Sequence, residues 1–529
     1  MPICEFPRVR SLASLATFNR RDLLKTAAGA ALVAALPGSL NAQQETPKKG
    51  GVLKIAAPFN PSSLDPLTGG AGSDHMILYP LFDTLVDFEP GTLAPKPGLA
   101  TSWEFTDPKT LVLNLREGVR FHDGEPFDAA AVKAHLERAK SDPRSSVKGD
   151  IASLDSVEVL APNKVALKLS RPDTALPLIL ADRAGMVSSP KAAAKGRQYD
   201  REPVGTGPFR FEKWNDNDVV VLVRNPDYWN KDLPHLDGIT FRVITDLNTG
   251  LRSVIAGENH FAYRLNPQQK VVADRTGAGK VVVSSTPTIA DYHLVFNYKR
   301  EPLNDVRVRK AINYAIDREA FNKAALLGLG VPAQTMLPPG YWAHDSSLDN
   351  YYRYDPDKAR ALLKEAGHAD GVDIKFFGNS DQASQQRHEI IIEQLRKVGI
   401  RASLTSGSNA DMYQRFMING EGDMIMTLWT GRPDPSLPFL LVYGENGFNN
   451  AGKVPPPPEM IAAQNESQSQ TTQEGRKRAF AKLEKAALDH ALSCEVAFVP
   501  GIEVYAPSVK GYVPNLLGKP KFNGIYLDG

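Results

Sequence analysis

The run DIKFFGNSDQASQQRHEIIIEQLRKVGIRASL, residues 373–404, decides the fold class. Asp373-Ile-Lys-Phe-Phe377 reads as a strand, and 385–398 as a helix that Gly399 stops. Ile400-Arg-Ala-Ser-Leu404 is the next strand. Strand, helix and strand in this order make a crossover between parallel neighbours, so the chain is α/β with a mixed or parallel sheet. Upstream, Asp355-Pro356 starts a helix, and Ala359, Leu362, Leu363 and Ala366 form its buried stripe before Gly367. Residues 306–325 read as one helix with Val308, Ala311, Ile312, Ala315 and Ile316 on one face. Further out, 51–57 is the first strand, 111–115 alternates as a half-buried strand, and 129–139 is a helix. Residues 157–160 and 164–169 pair as a hairpin, followed by strands at 219–224 and 239–244. Residues 455–458, all proline, form a rigid surface connector.

Of the 529 residues, 42% are hydrophobic and 23% charged, which excludes a disordered chain. The 62 Lys+Arg and 60 Asp+Glu leave a formal charge of +2. That excludes a general polycationic nucleic-acid binder, because counterion release needs clustered excess cations. Asn19-Arg20-Arg21-Asp22-Leu23-Leu24-Lys25 is a paired-arginine box, followed by an apolar stretch and a small-residue cut at Leu40-Asn41-Ala42. Residues 1–42 therefore read as a twin-arginine signal peptide, cleaved near Ala42, that sends a folded protein to the periplasm. The leader removes five basic and two acidic side chains, leaving 57 and 58. Cys4 leaves with it, and Cys494 alone can form no intramolecular disulfide. No later run reaches about 18 apolar residues, so no membrane span is expected.

Enzymatic signatures are missing. The ten histidines show no His-x-His or His-Glu-x-x-His spacing, so no metal site is expected. There is no Gly-x-Ser-x-Gly elbow and no Gly-x-x-x-x-Gly-Lys-Ser/Thr phosphate loop. No catalytic residue and no cofactor is expected.

Four stretches carry a resemblance. The first runs from Ala100-Thr-Ser-Trp103-Glu-Phe-Thr-Asp107 through Arg116-Glu117-Gly118 to Phe121-His122-Asp123-Gly124. The second is Gly205-Thr-Gly-Pro-Phe209 with Arg224-Asn-Pro-Asp-Tyr-Trp229. The third is Phe296-Asn297 followed by Val306-Arg-Val-Arg-Lys-Ala-Ile-Asn-Tyr-Ala-Ile-Asp317. The fourth is Trp429-Thr-Gly-Arg432-Pro-Asp434-Pro435. In order, spacing and residue type they resemble the extracellular solute-binding proteins of the peptide/nickel ABC importer class, family 5, over about residues 50–515. The resemblance implies a two-lobed periplasmic-binding-protein fold (type II, cluster C-like) with an enlarged first lobe and a two-crossing hinge. Carried over, lobe 1 is 48–290, completed by 492–529, and lobe 2 is 291–491. The function implied is that of a monomeric substrate-binding component without enzymatic activity. It would capture a peptide or peptide-like solute, possibly anionic, and deliver it to an ABC permease and ATPase at the inner membrane. Two alternatives stay open: an exported hydrolase, for which the twin-arginine leader is the best argument, and a nickel-complex-binding member of the class, which His293 near the hinge keeps open.

The resemblance also places 429–434 at the cleft, after Trp429. Peptide-binding members have an acidic residue there that pairs with the peptide amine, where this chain has Arg432, with Asp434 in a Pro-Asp-Pro turn. A guanidinium is a planar fork matched to carboxylate or phosphate. Arg432 either clamps an anionic group of the solute or pairs with a neighbouring aspartate, Asp434 included. Tyr263 and Arg264 either face the solute, by stacking and charge, or are a buried tyrosine with a snorkelling arginine. Tyr292 and His293 at the first crossing, Trp342, and the loop 69–75 are further lining candidates. His122-Asp123 reads as a structural turn, not an acid–base pair.

Overall fold

The computed structural model describes residues 47–69, 72–447 and 449–528. The leader expected at 1–42 lies outside the described residues. The crossover unit is present. Strand Val372–Asn379 runs parallel to strand Ile400–Gly407, joined by the helix Gln382–Arg396. The helix starts three residues earlier than the pattern predicts because Asp381 caps it, accepting from Ser384 N at 3.0 Å.

These strands end a six-stranded mixed sheet ordered Val331–Pro332, Ser493–Phe498, Asp291–Phe296, Met424–Trp429, Val372–Asn379, Ile400–Gly407. A seven-stranded sheet is ordered Val282–Thr286, Gly501–Tyr505, Phe261–Ala262, Val52–Ala57, Gly238–Val243, Val219–Arg224, Phe209–Asn215. A four-stranded antiparallel sheet is ordered Ala100–Asp107, Thr110–Leu115, Lys164–Leu169, Leu154–Ala161. The chain passes from the seven-stranded to the six-stranded sheet between Thr286 and Asp291, and returns between Phe498 and Gly501. The two passages are tied together. Thr288 Oγ1 donates to Val499 O at 2.7 Å, and Val499 N donates to Ala290 O at 2.8 Å.

Two expectations need correction. The helical run 306–325 breaks into Val306–Ala315 and Arg318–Leu326. Asp317 accepts from Ala320 N at 2.9 Å, and its backbone exchanges two hydrogen bonds with the Gln394 amide. A new N-cap with a tertiary brace outweighs the continuing apolar period. The strand Thr110–Leu115 is buried on both faces rather than one. Leu111, Leu113 and Leu115 enter an apolar cluster, and Val112 is also shielded.

The glycine-rich stretch at 205–209 is a close-approach device. A Cβ on Gly205 would lie 2.2 Å from Leu81 O, and one on Gly207 2.5 Å from Pro80 O. His122 Nε2 lies 3.0 Å from Gly207 O, and Gly205 N donates to His122 Nδ1 at 3.3 Å, so this histidine braces the turn. Among the described residues, no helix is long and apolar enough to cross a membrane.

Candidate functional site: a buried polar centre built from both sides of the crossings

The strand Met424–Trp429 delivers Thr430-Gly431-Arg432 to its end. Gly431 has φ +72°, and a Cβ there would lie 2.3 Å from Ile289 Cγ1. Only glycine lets the chain turn this close to the first crossing. Arg432 then reaches a carboxylate from before that crossing: its Nη1 lies 4.0 Å from Asp182 Oδ2. Its guanidinium makes no hydrogen bond among the described residues, and its Nε is buried without a partner.

Asp182 is buried in the segment that follows the helix Leu176–Ile179. Its Oδ1 accepts from Arg183 N at 2.8 Å and from His75 Nε2. His75 opens the helix His75–Leu81, and its Nδ1 lies 3.1 Å from Gly72 O. Both ring nitrogens face acceptors. Burial drives the His75 pKa down to about 3, although Asp182 opposes the shift. The ring is therefore neutral near pH 7, and its single proton serves the stronger acceptor, Asp182.

Lys519 comes from the tail beyond the second crossing. It is 3% exposed, with Nζ 4.0 Å from Asp182 Oδ2 and 3.4 Å from Gly431 O. Asn515 fixes its loop, donating to Lys519 O at 2.6 Å and accepting from Lys519 N at 3.3 Å. Burial, reinforced by Arg432, Arg183 and Arg264 and opposed by Asp182, lowers its pKa to about 7. Arg183 is committed elsewhere, to Gly69 O and to Asp74 Oδ2 at 3.4 Å. Asp150 lies close enough to feel Arg432, Asp182, Arg183 and Lys519 electrostatically. Burial raises its pKa to about 6, with Asp182 adding to the rise and Arg432 opposing it.

The remaining candidates are spread around this centre. Trp429 is buried, its Nε1 has no partner among the described residues, and the Arg432 guanidinium lies 6.0 Å from its ring. Asp434 is fully buried and occupied: Arg476 donates to both of its oxygens, at 2.8 and 2.9 Å, and Ser436 donates twice to Oδ1. Asp434 thus pairs with Arg476, and the nearest carboxylate to Arg432 is Asp182. Tyr263 is buried in the apolar cluster of the seven-stranded sheet. Arg264 is half-buried at φ +57°, its guanidinium 5.0 Å from the Phe59 ring, close enough to feel Tyr292 electrostatically. Tyr292 lies under the Arg387 guanidinium at 4.4 Å. His293 is fully buried, with Nδ1 3.0 Å from Asp291 Oδ2; Asp291 and Glu495 raise its pKa against the effect of burial. Trp342 lies beside Arg476 and Phe480, where it lines a cavity of about 380 Å³ with Trp103 and Phe105.

His75, Asp182, Arg183 and Lys519 escaped the sequence reading, apart from His75 as part of a loop. The one available signal was the charged pair Asp182-Arg183 inside the apolar stretch 175–187. Nothing in the tail sequence marks Lys519. No group of three or more His, Cys, Asp or Glu among the described residues is arranged to hold a metal ion.

The model of a family described as bacterial extracellular solute-binding proteins, family 5 (middle), matches residues 94–450. The glutathione-binding protein GsiB of Salmonella paratyphi A is 36% identical over 362 residues, covering 65% of this chain and 69% of that protein. GsiB of Escherichia coli K12 is 33% identical over 357 residues, covering 66% and 69%. Among solved structures, the periplasmic binding protein DppA of Helicobacter pylori, in complex with the peptide STSA, superposes with a TM-score of 0.82. It is 24% identical and covers 91% of this chain and 99% of that one. AgaA of A. tumefaciens R10, in complex with agropinic acid, gives 0.81 at 24% identity, covering 90% and 99%. The fold is the two-lobed α/β fold of these periplasmic binding proteins.

Proposed function

The chain belongs to the bacterial extracellular solute-binding proteins of family 5, the binding components of ABC importers, and we propose that it takes a peptide-like solute bearing an acidic group. The observation that carries this is Arg432, a cation with no hydrogen-bond partner among the described residues, brought to the buried centre that Asp182 and Lys519 supply from outside the two crossings. A charge with unmet donors in a sheltered site is costly unless a partner arrives. The GsiB relatives are named for glutathione, itself an acidic peptide-like molecule, which supports the same class.

In this reading the lobes divide at the two passages, so Ser493–Phe498 goes with the second lobe and 501–528 with the first. Residues 1–42 direct export to the periplasm and are cut near Ala42. The mature protein acts as a monomer, hands its solute unaltered to permease and ATPase subunits, and binds no nucleic acid. Arg432, Trp429, Arg264 and Tyr292 line the solute space, while Asp434, Tyr263, His293 and Trp342 hold its walls.

The test is calorimetry of the mature protein against acidic and neutral peptides, with each mixture analysed for products. Saturable binding with the solute recovered intact supports the reading. Product release would establish the hydrolase instead, and binding that requires nickel would establish the metal-complex alternative.

A further inference from the structure

Two cations, Arg432 and Lys519, meet at Asp182, and a third, Arg264, lies close enough to act electrostatically on Lys519; their donors are largely unused. Among the described residues, the Arg432 guanidinium makes no hydrogen bond, Lys519 Nζ makes one long contact to Gly431 O, and Arg264 makes no ion pair and lies against the Phe59 ring. They come from three separate segments: the end of the strand Met424–Trp429, the C-terminal tail, and the turn after the strand Phe261–Ala262. One carboxylate oxygen, Asp182 Oδ2, faces both Arg432 and Lys519 at 4.0 Å, beyond hydrogen-bond reach of either. Arg183 does not share in this, because Asp74 and Gly69 O already hold it. Asp182 and Asp150 thus stand against Arg432, Lys519 and Arg264, and His75 is neutral. The centre retains an excess of positive charge, and Arg264 forms no ion pair with either carboxylate among the described residues.

We propose that the solute is a peptide-like molecule of net negative charge with two separated acidic groups, one taken jointly by Lys519 and Arg432 and the other by Arg264. This rests on the cleft being the solute site and goes further by fixing the charge and the second anchor. Lys519 and Arg432 approach from opposite sides of the crossings. An acidic group between them therefore bridges the two lobes, which a neutral group would do only weakly. Arg264 holds its left-handed backbone without glycine, so its side chain has a fixed origin on the first lobe. Asp182 stays bound to His75 and Arg183 N, and orients the Lys519–Arg432 pair without neutralising both.

The probes are the dipeptides Glu-Glu and Gln-Gln, equal in size and different in charge, titrated calorimetrically into the mature protein at pH 6.5. Glu-Glu is expected to bind at least tenfold more tightly. Lys519→Met and Arg264→Met should each weaken Glu-Glu at least tenfold and weaken Gln-Gln, whose one acidic group is its terminal carboxylate, by a clearly smaller factor, while Lys519→Arg retains most of the affinity for Glu-Glu. Thermal melts confirm that each variant is folded. If Gln-Gln binds as well as Glu-Glu, or if both methionine variants bind Glu-Glu normally, the charge assignment falls and the cleft reading stands. If neither dipeptide binds, and no longer acidic peptide does, both fall.

Discussion

At the residue scale, an absent side chain places the charge that matters. Gly431 turns at φ +72° against Ile289, where a Cβ would come within 2.3 Å of Cγ1. Gly431→Ala must both strain the backbone and push the first crossing aside. We expect a loss of about 2–4 kcal/mol in urea unfolding, with weaker solute binding because Arg432 is displaced. Lys519 yields a pH signature with two opposite parts. Burial brings its pKa from 10.5 to about 7 in the folded protein. Between those values the unfolded chain holds a proton that the folded chain lacks, so this group adds stability as pH rises through the window. An acidic solute needs the ammonium form, so its affinity should fall as pH rises above about 7. Titrations at pH 6 to 9 should show wild-type affinity declining and Lys519→Met unchanging, and unfolding over the same range should show a steeper rise for wild type. Of this site the sequence exposes Arg432, because guanidinium chemistry stands out in a turn expected to be acidic. It hides Lys519 and Asp182, because only folding brings the tail next to the segment beyond Leu176–Ile179. It also leaves Asp434 ambiguous. The choice between Arg432 and Arg476 as its partner depends on where the helix Gln473–Asp489 docks.

At the element scale, local signals were reliable where one side chain controls a boundary. Asp355 caps Pro356–Glu365 by accepting from Lys358 N at 2.9 Å, as the Asp-Pro start indicates. Apolar periodicity was less reliable, because it does not register interruptions. Residues 306–325 keep a helical stripe through Ile316, yet the chain breaks there, since Asp317 can cap a new helix and Gln394 is placed to hold its backbone. The Gln394 contribution is tertiary and cannot be read locally. Asp317→Ala should cost about 1 kcal/mol, measured as a lower urea midpoint with unchanged slope. The strand Thr110–Leu115 makes a related point: alternation describes chemistry along a strand, and burial depends on what covers its second face.

At the scale of the whole molecule, the two passages between sheets act as one ribbon. Thr288 and Val499 are hydrogen-bonded across it, so rotation of one lobe moves both crossings together. Motion about such a ribbon must break the contacts that join the lobes elsewhere. One of them joins residues 171–174 to the end of the helix Pro458–Ser469: Thr174 N donates to Gln468 O at 2.8 Å, and the Gln468 side chain accepts from Arg171 and approaches Asp173 Oδ1 at 3.4 Å. Nothing in the sequence pairs 171–174 with 468, because the two segments meet only when the lobes do. Gln468→Ala removes the side-chain half of this contact and leaves the solute centre untouched. It stabilises neither lobe alone, so its loss favours the open arrangement. Apparent affinity for an acidic peptide then falls by the fraction of protein still able to close, while the intrinsic contacts at Arg432 and Lys519 are unchanged. X-ray scattering should give the unliganded variant a larger radius of gyration than wild type, and saturating peptide should bring the two to the same value. Equal radii without peptide would mean that this contact does not hold the lobes together, and unequal radii at saturation would mean that Gln468 shapes the closed state itself.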